Sequence, residues 1–294
     1  EARFCPIDGM ALAAPNVDND PLVGQKLDGR YLMLRKIGTG GMGAVYEAVQ
    51  LSIDRPVAIK IIRDIVADSA RERQRFWLEA RAVSRLEHGN VVRVYDYGTD
   101  HQKNPFLVME LLRGRSLTEH LRAEGLPMVP HLAAHICADV CKGLAAAHTE
   151  GLVHRDIKPS NIWLGETTQP GQLPDVKILD FGLVKGSEVS IHELTTGGEA
   201  VGTPSYMSPE QVEGRQTITG TADLYSLGVV FFELVVGHVP YGGSNVTDTL
   251  MAHLTKDVPN PTTNTAGHNI PDDIQAIWQR ALSKKPSERY ATAR

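Results

Sequence analysis

His154-Arg155-Asp156-Ile157-Lys158-Pro159-Ser160-Asn161 packs an acid, two bases and an amide acceptor into eight residues. Pro159 cannot sit in a helix interior or a central strand, so the stretch is a loop. Just before it, Leu144–His148 reads as the end of a helix, and Gly151 is placed to stop it. A loop that holds Asp156 and Asn161 five residues apart can present both to one small volume. Such a pair suits chemistry on a hydroxyl beside a metal-bound phosphate: the carboxylate takes the proton and the amide oxygen holds the metal. Taken alone, Asp156 would fit a solvated polar turn better. Three further stretches change that balance.

The first is Gly38-Thr39-Gly40-Gly41-Met42-Gly43, set between the strand-like runs Tyr31–Ile37 and Ala44–Val49. A dinucleotide-binding fold would place a helix straight after such glycines, whereas Val45-Tyr46 continues as a strand. No Gly-x-x-x-x-Gly-Lys-Ser/Thr is present, which argues against a P-loop NTPase. A glycine hairpin lets backbone N–H groups close over phosphates without side-chain obstruction. Taken by itself it would be an ordinary flexible hairpin. The second stretch is Pro56–Ile62, a strand with Lys60 inside an otherwise apolar run. A helix over Ser69–Glu87 follows, and it carries Glu79 on the side of Phe76 and Val83. A buried lysine needs a counter-charge, so Lys60 and Glu79 are expected to pair and to aim the ammonium at phosphate oxygens. A lysine snorkelling from a sheet edge is the plainer alternative. The third stretch, Ile178-Leu179-Asp180-Phe181-Gly182, ends an apolar strand on an acid. Asp180 with Asn161 would give Mg²⁺ the hard oxygens it prefers, although an Asp before Gly is also a common turn.

Val91–Tyr97 and Phe106–Leu111 complete an antiparallel sheet with one helix. After Leu112 the chain reads as mainly helical, with helices at Leu117–Arg122, His131–His148, Ala222–Val236 and Asp272–Leu282. Short strands are expected around Ile162 and at Val176–Leu179, joined by a polar surface hairpin over Thr167–Pro174. Residues 183–203 are polar and too loosely patterned for a core element. Residues 1–27 carry Pro6, Gly9, Pro15 and Pro21 without sustained period and read as a tail; Cys5-Pro6-Ile7-Asp8-Gly9 looks like half a zinc knuckle that lacks its other ligands.

The 294 residues are 42% hydrophobic and 22% charged, which supports a full core. A net charge of −5 does not favour nucleic acid or an acidic membrane as partner. Cys5, Cys137 and Cys141 are too few for a disulfide framework, so a reducing, cytoplasmic setting is expected. Cys137 and Cys141 share a helix face and read as small core residues. No signal peptide is apparent. The most apolar run, Leu224–Val236, is interrupted by Glu233 and is shorter than the ~20 residues that span a bilayer, so no membrane segment is expected. A chain opening on Glu1 is expected to be a piece of something longer, such as the cytoplasmic part of a membrane protein.

In this order the motifs match the protein-kinase signature set, and from Asp28 to Arg294 the chain resembles a eukaryotic-type serine/threonine protein kinase of the bacterial kind. Gly202-Thr203-Pro204-Ser205-Tyr206-Met207-Ser208-Pro209-Glu210 fits the family segment ending in Ala-Pro-Glu, with Ser208 in place of Ala. Asp223-Leu224-Tyr225-Ser226-Leu227-Gly228 fits the start of the central C-lobe helix, and Arg289 fits the partner of Glu210. The resemblance implies an α+β, bilobal fold, with a sheet-plus-one-helix N-lobe over 28–111 and a mainly helical C-lobe over 112–294, its last helix missing or incomplete. It implies ATP and Mg²⁺ as cofactors. Gly38, Gly40, Gly43 and Lys60 would hold phosphates, with Glu79 behind Lys60. Ile37, Val45 and Ala58 would cover the adenine, Met109 would be the gatekeeper, Glu110 and Leu112 would offer backbone bonds, and Trp163, larger than the family's usual Leu, would lie below. Asp156 would accept the hydroxyl proton, Lys158 would stabilise the transferring phosphoryl group, and Asn161 and Asp180 would bind Mg²⁺. Thr203 would contact Asp156 and Lys158. Phe181, His154, Val83 and Val94 would stack as a spine. Arg155 would grip a phosphorylated Thr195 or Thr196.

The implied partners are a protein substrate and, for autophosphorylation in trans, a second copy of the chain. Two rival classes are a pseudokinase scaffold and a small-molecule kinase. Intact Lys60, Asp156, Asn161 and Asp180 argue against the first, and the 203–210 segment, which shapes a peptide groove, argues against the second.

Overall fold

Side-chain alternation divides the N-terminal sheet into two faces with different work. The computed structural model describes residues 20–40, 43–62, 70–169, 171–181 and 204–294. Six strands pair antiparallel: β1 (Lys26–Leu27), β2 (Tyr31–Gly40), β3 (Gly43–Gln50), β4 (Arg55–Ile62), β5 (Val94–Thr99) and β6 (Pro105–Glu110), in the order β1-β2-β3-β4-β6-β5. Tyr31, Met33, Ala44, Tyr46, Ala48, Val57, Ile59, Ile61, Phe106 and Val108 alternate onto one face and form a single buried cluster. Successive strand side chains point to opposite faces, so Val45, Ala58, Lys60 and Met109 lie on the other. Register is firm because a one-residue slip would exchange the two faces. Helix α1 (Ala70–Val83) completes this region.

The chain divides into two compact units: residues 1–80 with 93–112, and residues 81–92 with 113–294. Residues 81–92 group with the second unit because their backbone is bonded there. Val92 N–H donates to Ile178 O (2.9 Å), Ile178 N–H to Asn90 O (2.9 Å) and the Asn90 amide to Val176 O (2.9 Å). The strand expected from Val91 therefore starts only at Val94, and Val91 makes an isolated bridge to Ile178.

The second unit contains α2 (Leu117–Glu124), α3 (Pro130–Thr149), α4 (Pro209–Val212), α5 (Gly220–Val236), α6 (Val246–Thr255) and α7 (Asp272–Ala281) among the described residues. It also holds a small sheet of β7 (Gly114–Ser116), β8 (Ile162–Gly165) and β9 (Val176–Ile178). The Thr167–Pro174 stretch is the expected connection between antiparallel β8 and β9. Ser116 and Glu119 form a reciprocal capping box that starts α2, a signal present in the sequence but not used. Helix α6, with Asn245 as its cap, was also unanticipated.

Helix α5 is the buried axis of this unit; Tyr225, Val229, Val230, Phe232 and Leu234 are all fully enclosed. It ends at Gly237 in the left-handed conformation (φ 106°), where glycine avoids the Cβ penalty. At Gly228 the backbone approaches α7 so closely that a Cβ would lie 2.7 Å from the Ala281 Cβ. Arg289 and Glu210 form the expected pair inside this unit, at 2.7 and 2.8 Å, with Arg289 only 2% exposed. Among the described residues, no helix is long and apolar enough to cross a membrane.

The N-terminal tail expected over residues 1–27 is folded from Asp20 onward. Leu22 and Val23 pack against the sheet cluster, Gly24 N–H donates to Met33 O, and Lys26–Leu27 pair with β2. The apolar face of the sheet requires cover, and this segment supplies part of it. Cys5 and the half-knuckle around it lie outside the described residues.

Candidate active site

The acid-bearing loop is built from the second unit's backbone upward. Pro159–Asn161 forms one 3₁₀ turn with proline at its first position, where no N–H is required. The residue before Asp156, Arg155, has φ 64°, a left-handed conformation that a non-glycine side chain adopts at some cost. Asp223, buried in the first turn of α5, holds that conformation: its carboxylate accepts from His154 N–H (2.9 Å) and Arg155 N–H (2.8 Å). His148 Nε2 lies 2.8 Å from the same carboxylate. Gln211 donates to Arg155 O (2.8 Å), tying the loop to α4. The sequence showed Asp223 as part of a helix start. Its place as the anchor of the loop depends on a contact across 69 residues that local pattern could not reveal.

Within this frame Asp156, Lys158 and Asn161 come together. Lys158 Nζ is 3.0 Å from Asp156 Oδ2. The Asn161 amide N–H₂ donates to Asp156 O (2.8 Å) and reaches Asp156 Oδ2 at 3.2 Å. With its nitrogen so committed, Asn161 turns its carbonyl oxygen the other way, available to a cation. Leu179 N–H donates to Asn161 O (2.9 Å), so the residue before Asp180 is stitched to the loop. Asp180 also has positive φ, 49°. An amide oxygen and a carboxylate oxygen form a hard donor set that fits Mg²⁺ together with phosphate oxygens.

The His154 and Phe181 rings are in contact, 4.8 Å between centroids with their planes tilted by 58°, and His154 Nε2 lies 2.7 Å from Leu179 O. Val83 is buried in the same unit, and Val94 is buried in the first. Trp163, in β8, does not swing freely: its indole N–H donates to Arg113 O (3.2 Å). Arg155 Nε is buried and has no hydrogen-bond partner among the described residues.

The other expected nucleotide residues belong to the first unit. Gly38, Val45 and Lys60 are cross-strand neighbours in one row over β2, β3 and β4, and Ala58 pairs with Met109 two rungs along, on the same face. A bulge at Ile37 separates the Lys36–Tyr46 and Gly38–Val45 rungs, leaving Ile37 exposed. Gly43 admits no side chain, since a Cβ there would meet Ile61 O at 2.0 Å. Gly40 ends β2. Glu110 N–H donates to Arg93 O (3.0 Å) and its carboxylate accepts from Arg93 N–H (2.8 Å). Lys60 and Glu79 are both half-buried, and Leu112 follows β6. Thr195, Thr196 and Thr203 lie outside the described residues.

A family model described as the protein kinase domain matches residues 31–294. The chain is 41% identical over 274 residues to the serine/threonine-protein kinase PknL of Mycobacterium tuberculosis, covering 93% of this chain and 65% of that one. It is 36% identical over 272 residues to PrkC of Bacillus subtilis, covering 92% of this chain and 40% of that protein. The chain thus spans less than two thirds of the length of either relative. Its fold is similar to the crystal structure of the PknI kinase domain of Mycobacterium tuberculosis, with a TM-score of 0.69 and 25% identity over 92% of this chain and 94% of that one. A chain matched from Tyr31 to its last residue, with this loop at its centre, belongs to the protein kinase family, beside the eukaryotic-type serine/threonine kinases of bacteria.

Proposed function

We propose that the chain transfers the γ-phosphoryl group of ATP to serine or threonine hydroxyls of protein substrates. The observation that carries this reading is the Asp156–Lys158–Asn161 cluster, in which an ammonium and an orientated amide each lie within hydrogen-bond reach of one carboxylate. Asp156 orients the substrate hydroxyl and receives its proton as the new O–P bond forms and the bond from Pγ to the ADP oxygen breaks. Lys158 neutralises charge on the transferring group. Asn161 and Asp180 hold Mg²⁺, which when bound screens the phosphate charge. Gly38, Gly40 and Gly43 approach the phosphates through backbone, and Lys60, backed by Glu79, binds them. Ile37, Val45, Ala58, Met109, Glu110, Leu112 and Trp163 frame the adenine. Thr203 steadies Asp156 and Lys158.

Activation follows phosphorylation at Thr195 or Thr196, in trans within a homodimer. A phosphate brings about −1.5 to −2 charges and three acceptors, and the Nε of Arg155, which has no partner among the described residues, would be a donor for it. The free thiols of Cys137 and Cys141 suit a reducing, cytoplasmic compartment.

Peptide phosphorylation with labelled ATP and Mg²⁺ tests the reading. Labelled serine or threonine is expected. ATP binding without transfer would instead support a scaffold, and transfer only to small molecules would support the third class. Mass spectrometry of the incubated protein, beside a Thr195→Ala/Thr196→Ala variant, tests activation; full activity in that variant would refute it.

A further inference from the structure

The segment before β1 ends in an anchored acid. Asp20 lies eleven residues ahead of the matched kinase domain, yet its side chain is 5% exposed. One carboxylate oxygen, Oδ2, accepts from Tyr46 Oη (2.9 Å) and pairs with Lys36 Nζ (2.5 Å), and the other accepts from Leu22 N–H (3.1 Å). The ammonium also lies 5.8 Å from the Tyr46 ring centroid. Burial pushes the Asp20 carboxyl up, but the bonds from Lys36, Leu22 and Tyr46 outweigh it and hold the group below its ordinary value.

What Asp20 grips matters more than the grip itself. Lys36 is on β2 and Tyr46 on β3, and the two are directly opposed across the ladder. The next rung is Gly38–Val45, and the β2 bulge falls between these two rungs. A bulge bends and twists its strand and often re-aims residues beside a functional site. Asp20 therefore pins both strands at the base of the glycine hairpin, on the side of the bulge away from its tip.

We propose that Asp20 is a positioning residue for nucleotide binding, acting through Lys36 and Tyr46 to hold the glycine hairpin in its binding-competent arrangement. The proposal rests on the kinase reading for the identity of the nucleotide. An affinity falls in proportion to the competent fraction of the protein. Releasing the base of the hairpin should lower that fraction without altering any group that touches ATP.

The test titrates Mg-ATP calorimetrically into the full chain and into Asp20→Ala, Asp20→Asn and Lys36→Met, and follows hydrogen exchange over residues 36–46. Asp20→Ala should bind about three- to tenfold more weakly, with faster exchange over 36–46 and an unchanged peptide KM. Asp20→Asn can still accept from Tyr46 and Leu22 and should fall between wild type and Asp20→Ala, as should Lys36→Met. Wild-type affinity in a folded Asp20→Ala protein overturns the proposal, as does faster exchange confined to residues 20–27. If Asp20→Ala does not fold, unchanged affinity in both milder variants overturns it. A wild-type chain that binds Mg-ATP but phosphorylates no peptide refutes the kinase reading alone, because the titration still reports on Asp20.

Discussion

Replacing Arg289 with Lys keeps a positive charge beside Glu210 and should still destabilise the second unit severely. Arg289 uses all five of its N–H donors. Nε donates to Ser283 O, Nη1 to Glu210 Oε1 and Thr221 O, and Nη2 to Glu210 Oε2 and Lys284 O, all between 2.7 and 3.0 Å. Lysine has three donors on a single nitrogen, so it cannot reach two carboxylate oxygens and three separate carbonyls. Each buried acceptor left without a donor costs roughly 1–3 kcal/mol. Arg289→Lys should therefore lose about 2–4 kcal/mol. Arg289→Met leaves Glu210, 3% exposed, with no cation, and should lose about 3–5 kcal/mol. Against a total stability of roughly 5–15 kcal/mol, either loss is large.

Urea unfolding read by tryptophan fluorescence measures this. Of the three tryptophans, Trp163 and the fully buried Trp278 report on the second unit, and a Trp77→Phe background silences the first. Because the pair is buried, raising the salt concentration should change the loss little. In a double-mutant cycle, adding Glu210→Gln to Arg289→Met should restore part of the stability, because no charge is then stranded. An Arg289→Lys protein within about 0.5 kcal/mol of wild type would refute the donor-count reasoning. A salt-sensitive loss would refute the buried-charge reasoning.

Asp156→Asn should lower kcat by ~10²–10⁴-fold, or about 3–5 kcal/mol of barrier, while Mg-ATP still binds; near-wild-type turnover would remove Asp156 from its role. Gly228→Ala should destabilise the second unit by up to about 2 kcal/mol, the overpacking against Ala281, about 1–3 kcal/mol, being offset by a gain in helix propensity of about 1 kcal/mol, and Ala281→Gly should rescue it in a melting assay. Burial pushes His253 down to about 4, with Lys284 adding to the effect. The unfolded chain therefore binds a proton near pH 6.5 that the folded chain refuses until about pH 4. Stability should fall as pH drops through that window, by at most about 3 kcal/mol from this group. His253→Gln should flatten the slope in denaturant melts, and an unchanged slope would count against it.

The parts of this protein legible in its sequence are those whose chemistry is local. Asp156, Lys158 and Asn161 lie within six residues, and the loop that presents them is set by Pro159, so their meeting could be foreseen. Lys60 stood out as the one cation in the apolar run Pro56–Ile62, but the face it occupies, opposite the sheet's buried cluster, follows from the register of the sheet. What holds the site in place is not local. Asp223 supports the strained backbone at Arg155 from a helix far along the chain, and nothing about an Asp at a helix start distinguishes it from an ordinary first-turn acid. Asp20 was set aside with a proline- and glycine-bearing tail because its segment has no period of its own. That segment is held by groups on another part of the sheet, Lys36, Tyr46 and the β2 backbone, and a short edge held in this way leaves no periodic trace. Periodicity marks where a strand begins to bury its own side chains, whereas this segment is fixed by a buried charge, Asp20, that finds its partners on two other strands.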